Sequence, residues 1–101
     1  MFGLCVFDNV KTRTLNGYME TSDDMTIEKC ISICRDKQFK YAGLQWQWEC
    51  HCGAEPLNGF KSTWFGKCSD RCAGDSSQIC GGSNVMNIWS TLHVHVLDSN
   101  H

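Results

Sequence analysis

From Leu44 to Cys52 the chain alternates. Leu44, Trp46, Trp48, Cys50 and Cys52 share one parity, and Gln45, Gln47, Glu49 and His51 share the other. Successive strand side chains point to opposite faces, so this pattern predicts an extended segment from Phe39 to Cys52. Its cysteine face is expected to be buried, leaving a wholly polar row outward. Gly43 is expected to mark a bend or bulge, which would change the face of Trp48. A different period precedes this segment. Ile27, Cys30, Ile31 and Cys34 recur at helical spacing and predict one buried helix face. Thr26 is the expected N-cap, Glu28 falls in the first turn, and Arg35 and Lys37 fall in the last.

The remaining pattern is shorter-ranged. Leu4 to Asp8 reads as a first strand carrying Cys5, and Val85 to Thr91 as a closing strand. Asn9 to Asp24 is polar, with a turn signal at Asn16-Gly17. Gly53 to Lys67 holds the one proline, Pro56, and reads as a long loop bearing Phe60, Trp64 and Phe65. A loop of that length in a small domain is more often functional than incidental. Asp75 to Gly82 looks like one helical turn with a glycine stop. Leu92 to Leu97 alternates again, placing His93 and His95 on one face of an added edge strand, a place where a second copy can pair.

Length and composition narrow the class. The 101 residues support one compact domain, with nine Lys and Arg against eleven Asp and Glu. No basic stretch suits a phosphate backbone, so nucleic acid is not an expected partner. No apolar run reaches the roughly eighteen residues of a membrane span. Residues 1–5 are too short for a signal peptide, so an exported chain would have lost its signal or use another route. There is no Asn-x-Ser/Thr sequon. Four Trp and five Phe are many for so small a core, and some must lie at the surface.

Eight cysteines in so short a chain read as a disulfide framework formed in an oxidising, extracellular compartment. Cys50-x-Cys52 is too tight for the usual zinc knuckle, so neither a metal nor any other cofactor is expected. Helical cysteines four apart lie about 5–6 Å from one another on one face. Strand cysteines two apart lie about 6.5–7 Å from one another on one face. Cys30 and Cys34 can therefore meet Cys50 and Cys52, a double staple of helix to sheet.

Five stretches carry a resemblance: Arg13 to Gly17 (RTLNG), Met25 to Cys30 (MTIEKC), Tyr41 to Leu44 (YAGL), Glu49 to Gly53 (ECHCG) and Cys80 to Asn84 (CGGSN). With the cysteine spacing, they resemble the WSC domain, the module of fungal cell-wall stress sensors, Kremen receptors and several carbohydrate-active proteins. The resemblance runs from about Leu4 to Ser90, and residues 1–91 are taken as the domain, with 92–101 as an extension. It implies an α+β, disulfide-rich fold, a small twisted antiparallel sheet with one helix packed across it, similar to PAN/apple domains. It also implies the pairs Cys5–Cys68, Cys30–Cys50, Cys34–Cys52 and Cys72–Cys80. The chain departs from the family pattern in one strand. A Gly-like position is Gln47, the frequent Glu at position 45 is Gln, and the aromatic between the paired cysteines is His51.

The chemistry expected of this chain is binding. Glu49, Asp70 and Asp75 are its candidate acids, but nothing in the sequence sets two of them across a sugar as glycosidase chemistry requires. A sugar site combines an aromatic plate with planar hydrogen-bonding groups. Gln45, Gln47, Glu49 and His51 supply the polar row, which is otherwise a plain solvated sheet face. Trp64 and Phe65 are candidate plates, and Trp48 completes the set. Trp46 and Trp89 are expected in the core. The reading is a secreted, non-enzymatic lectin for a β-glucan-like or galactose-containing glycan, multivalent by self-association through its C-terminal strand. The alternative is a protein-interaction module of a receptor ectodomain.

Overall fold

The computed structural model describes residues 3–92. The residues beyond Leu92, with the expected edge-strand histidines His93 and His95, lie outside that range. Among the described residues, seven strands and one helix follow in order: β1 (Leu4–Phe7), β2 (Tyr18–Thr21), α1 (Ile27–Asp36), β3 (Tyr41–Gln45), β4 (Glu49–Gly53), β5 (Arg71–Cys72), β6 (Asp75–Ile79) and β7 (Val85–Ser90). A 3-10 turn at Phe65–Lys67 precedes β5. Five strands form an antiparallel sheet in the order β1-β7-β3-β4-β2, and β5 with β6 forms a separate hairpin. The architecture is the α+β, disulfide-rich one expected, with α1 packed on the sheet through Cys30, Ile31 and Cys34.

The helix starts where its cap allows. Thr26 has extended backbone, and its hydroxyl accepts the Lys29 amide at 3.1 Å. Gln78, far along the chain on β6, adds a second cap. Its carbonyl accepts the Ile27 amide at 2.9 Å, and its amide nitrogen donates to the Glu28 carboxylate. One orphan donor of the first turn is thus satisfied by tertiary structure rather than by sequence neighbours. Lys37 is the C-cap, and its ammonium lies 4.2 Å from the centre of the Tyr18 ring.

All four cysteine pairs stand at bonding distance: Cys5–Cys68, Cys30–Cys50, Cys34–Cys52 and Cys72–Cys80. Two bonds fasten α1 to β4, one ties β1 to the 3-10 turn, and one closes the β5–β6 hairpin. The helix-side core joins the other three pairs to Met25, Ile31, Ala42, Leu44 and Trp89, while Cys5 and Cys68 pack separately with Val85.

The opposite sheet face is also covered, which corrects the expected outward polar row. Val6, Leu15, Met86 and Ile88 form a second core there, with Tyr41 and Phe60 at its margin. Leu15 arrives on the segment between β1 and β2, which is stitched down at several points. The Thr14 amide and the Arg13 guanidinium donate to the two oxygens of Asp8 at 2.8 and 2.6 Å. The Gly17 amide donates to the Cys52 carbonyl at 2.8 Å. Gly43 is neither bend nor bulge: it pairs in register with His51 and Ile88. Its missing side chain makes room for this layer. A Cβ there would stand 2.5 Å from Met86 Sδ and 3.0 Å from Leu15 Cδ1.

Two further expectations change. The residues read as one extended segment, 39–52, contain a turn, so they form the β3–β4 hairpin. Asp75–Ile79 is a strand rather than a helical turn, paired with β5 through a register shift. The short β2, Tyr-Met-Glu-Thr, lies inside the stretch read as polar, because its four residues show no apolar–polar alternation in sequence.

Candidate functional site

The β3–β4 hairpin ends in a three-residue loop, Trp46, Gln47 and Trp48, beyond the last pair, Gln45 and Glu49. Trp46 and Gln47 both adopt left-handed backbone, with φ of 59° and 76°. This conformation crowds Cβ against the following carbonyl and costs roughly 1–2 kcal/mol per non-glycine residue. It also breaks the alternation on which the core assignment of Trp46 rested. Trp46 and Trp48 are 42% and 44% exposed, so neither is a core residue. Trp89 is, at 8%.

The tip is braced from the rest of the domain by backbone hydrogen bonds. The Gln47 amide donates to the Cys80 carbonyl at 3.1 Å, and the Gln47 carbonyl accepts the Ala73 amide at 3.1 Å. The Trp48 carbonyl accepts the Ser22 amide at 3.0 Å. Cys80 is held in turn by its bond to Cys72. Gly81 lets this support approach: with φ of +75°, it faces the backbone of Leu44 and Gln45 so closely that a Cβ would collide. The Gly81 amide is fixed by the Asn87 side-chain oxygen at 2.7 Å. A strained loop that persists must be over-determined by its surroundings, and these contacts supply that constraint.

Of the expected polar row, only Gln47 reaches solvent freely. Gln45 is fully buried, and its side-chain amide makes no hydrogen bond among the described residues. His51 is 2% exposed, on the face that Leu15 covers. Its Nε2 lies 2.9 Å from Oε1 of half-buried Glu49, forming a pair behind the tip. The correction has a physical cause: alternation separates the two faces of a strand but does not say what lies over each. Asp75, one of the candidate acids, accepts the Ser77 hydroxyl and amide at 2.6 and 2.9 Å. Those bonds hold its carboxyl below the usual range.

Trp64 and Phe65 form a second aromatic feature, 70% and 61% exposed, with ring centres 6.3 Å apart. The preceding residues run along the outer edge of β1. Ser62 bridges to Val6, and the Thr63 amide donates to the Cys5 carbonyl at 2.9 Å. In sheet order, strands β1 and β7 lie between this pair's anchorage and the β3–β4 hairpin.

Comparison with known proteins places this scaffold. The WSC domain family model matches residues 2–82. The chain belongs to the WSC domain family. It is 35% identical over 91 residues to Kremen protein 1 of Rattus norvegicus, covering 87% of this chain and 19% of that protein. It is 34% identical over 88 residues to Xylosyltransferase oxt of Drosophila melanogaster, covering 86% of this chain and 10% of that protein. A WSC domain-containing protein of Arthroderma benhamiae is 35% identical over 88 residues, covering 87% of this chain and 12% of that protein. The chain thus spans about a tenth to a fifth of the length of these relatives. In the oxt protein the WSC domain is a small part of a longer protein named for an enzyme activity. The matched region of the family model stops before β7, yet β7 lies between β1 and β3 in the sheet, so the folded unit runs on to Ser90.

Family motifs explain the scaffold better than the site. Within Arg13 to Gly17, Arg13 and Thr14 bind Asp8, Leu15 fills the second core, and Gly17 leaves room for the Phe39 ring. Gln47 holds φ of 76°, a backbone conformation that suits glycine. Reasoning from alternation missed Trp46 as a surface residue.

Proposed function

We propose that this WSC domain is a non-enzymatic carbohydrate-binding module of the extracellular space, with its ligand seat at the β3–β4 tip. The observation that carries the reading is the pair of exposed indoles, Trp46 and Trp48, flanking an exposed amide on a strained, braced loop. An indole covers the apolar face of a sugar ring, and the Gln47 amide can donate to one hydroxyl and accept from another. Bracing limits the entropy lost when a glycan orders the loop. Glu49 and His51 act from behind, fixing the strand end rather than touching ligand, and Gln45 fills the adjoining interior. Trp64 and Phe65 form a separate ledge for a longer chain. A β-glucan-like or galactose-containing glycan is the ligand class. Self-association through the C-terminal segment would add avidity.

A glycan array tests the reading. Binding to a defined glycan should be lost in Trp46→Ala, Gln47→Ala or Trp48→Ala proteins that keep the wild-type circular dichroism spectrum. Trp64→Ala should weaken long glycans more than short ones. A blank array, or binding indifferent to all three tip substitutions, overturns the proposal.

A further inference from the structure

A second concave surface lies away from the tip, between the segment that follows β1 and the loop that follows β4. It encloses about 670 Å³, and none of Trp46, Gln47 and Trp48 lines it. That volume falls within the roughly 300–1,000 Å³ typical of small-ligand sites. From this groove we infer a separate binding site for a neutral oligosaccharide, an inference that rests on the carbohydrate-binding reading and extends it to a second seat.

Asp8 has a fully buried side chain, with one carboxylate oxygen taken by the Thr14 amide and the other by Arg13. The Arg13 side chain remains 28% exposed and is held through a single nitrogen, Nη1. That bond anchors one end of its planar fork, and its other N–H groups meet no acceptor among the described residues. A guanidinium anchored on a buried carboxylate has less freedom to lose on binding than an unanchored one.

The walls supply complementary groups. Asn16 and Asn58 line the groove, one from each segment, each with an amide that can both donate and accept. Neither side chain makes a hydrogen bond among the described residues. Phe7, about half exposed, and Leu57, fully exposed, provide the apolar surface a sugar ring needs. The groove's charges cancel: Asp8 and Glu55 are acidic, Arg13 and Lys61 basic. A site selecting a sulfated or uronic chain would carry surplus positive charge. Uncommitted amides, an anchored guanidinium, apolar flanks and balanced charge together suit an uncharged polyol.

The test is a heteronuclear NMR titration of the full chain with three probes: a β-1,3-linked glucohexaose, lactose, and a sulfated heparin hexasaccharide. The side-chain amides of Asn16 and Asn58 report on the groove, and the indole Nε1–H signals of Trp46 and Trp48 report on the tip. A neutral probe should shift the two asparagine amides to saturation. Asn58→Ala, an exposed loop substitution, should weaken that response by about fivefold or more, the loss expected of one hydrogen bond. If the indoles respond while the asparagine amides stay still, the groove falls and the tip reading stands. If only the amides respond, the groove stands and the tip falls. If neither responds to a neutral probe, both fall. A response of the groove to the sulfated probe alone overturns the inference in favour of an anion site.

Discussion

Replacing Gln47 with glycine should make this domain more stable and worse at binding. Gln47 holds φ of 76° with an exposed side chain, so its backbone conformation is the main thing the substitution changes. Its amide and carbonyl bonds to Cys80 and Ala73 are backbone contacts and survive in glycine. Relief of left-handed strain is worth about 1–2 kcal/mol, and the extra freedom of unfolded glycine takes back about 0.5–1 kcal/mol. The net gain is about 0.5–1 kcal/mol, or about 2–8 °C in Tm for a domain of this size. Gln38 provides the control. It follows the α1 C-cap with φ of 69°, donates its amide to the Arg35 carbonyl at 2.9 Å and is exposed. Gln38→Gly should stabilise by a similar amount, as helix ends favour glycine there. Thermal melts by circular dichroism give both shifts, and binding to the best glycan from the array separates the two residues. Gln47→Gly should bind more weakly, and Gln38→Gly should bind as wild type. A Gln47→Gly melting point at or below wild type would refute the strain argument. Equal binding losses in the two proteins would refute the assignment of function to the tip.

The cross-links should rank by the chain they close. Cys5–Cys68 spans 63 positions and Cys72–Cys80 spans 8. In the loop-entropy account, losing the longer link costs about 1.8 kcal/mol more. Paired melts of the Cys5→Ser/Cys68→Ser and Cys72→Ser/Cys80→Ser proteins check that order, and a reversed ranking counts against it. Acid should act through Asp8. Burial pushes its carboxyl up, but the Thr14 amide and the Arg13 guanidinium together outweigh that, so the folded value lies below the ordinary 3.8. Its contribution is therefore complete above the unfolded value and lost as pH falls through the folded one. Asp8→Asn should melt well below wild type at about pH 6, with the gap closing toward about pH 2; a gap that does not vary with pH contradicts the account. Gln45→Met should be neutral or stabilising, because the buried amide gives up no protein hydrogen bond and the two side chains are close in volume. Destabilisation beyond about 1.5 kcal/mol would show that the amide has a role this packing does not reveal.

Local chemistry determined much of this fold in advance. The spacing of Ile27, Cys30, Ile31 and Cys34 was enough to set the helix and its buried face, because a helical period is a property of the chain alone. The same holds for Cys50 and Cys52 on one strand face, and so for the staple between α1 and β4. Tertiary structure decided what covers the other face. Leu15 comes from thirty-six residues before His51 in the chain, tied down through Asp8, and no pattern within residues 44–52 can register its arrival. The tip was decided in the same way. Two left-handed residues are costly in isolation and persist because Cys80, Ala73 and Ser22 reach them from distant segments. The polar row that alternation set facing solvent is therefore largely interior, and Trp46, expected inside, is at the surface. Alternation is a rule about one strand, whereas exposure depends on everything else that packs against it.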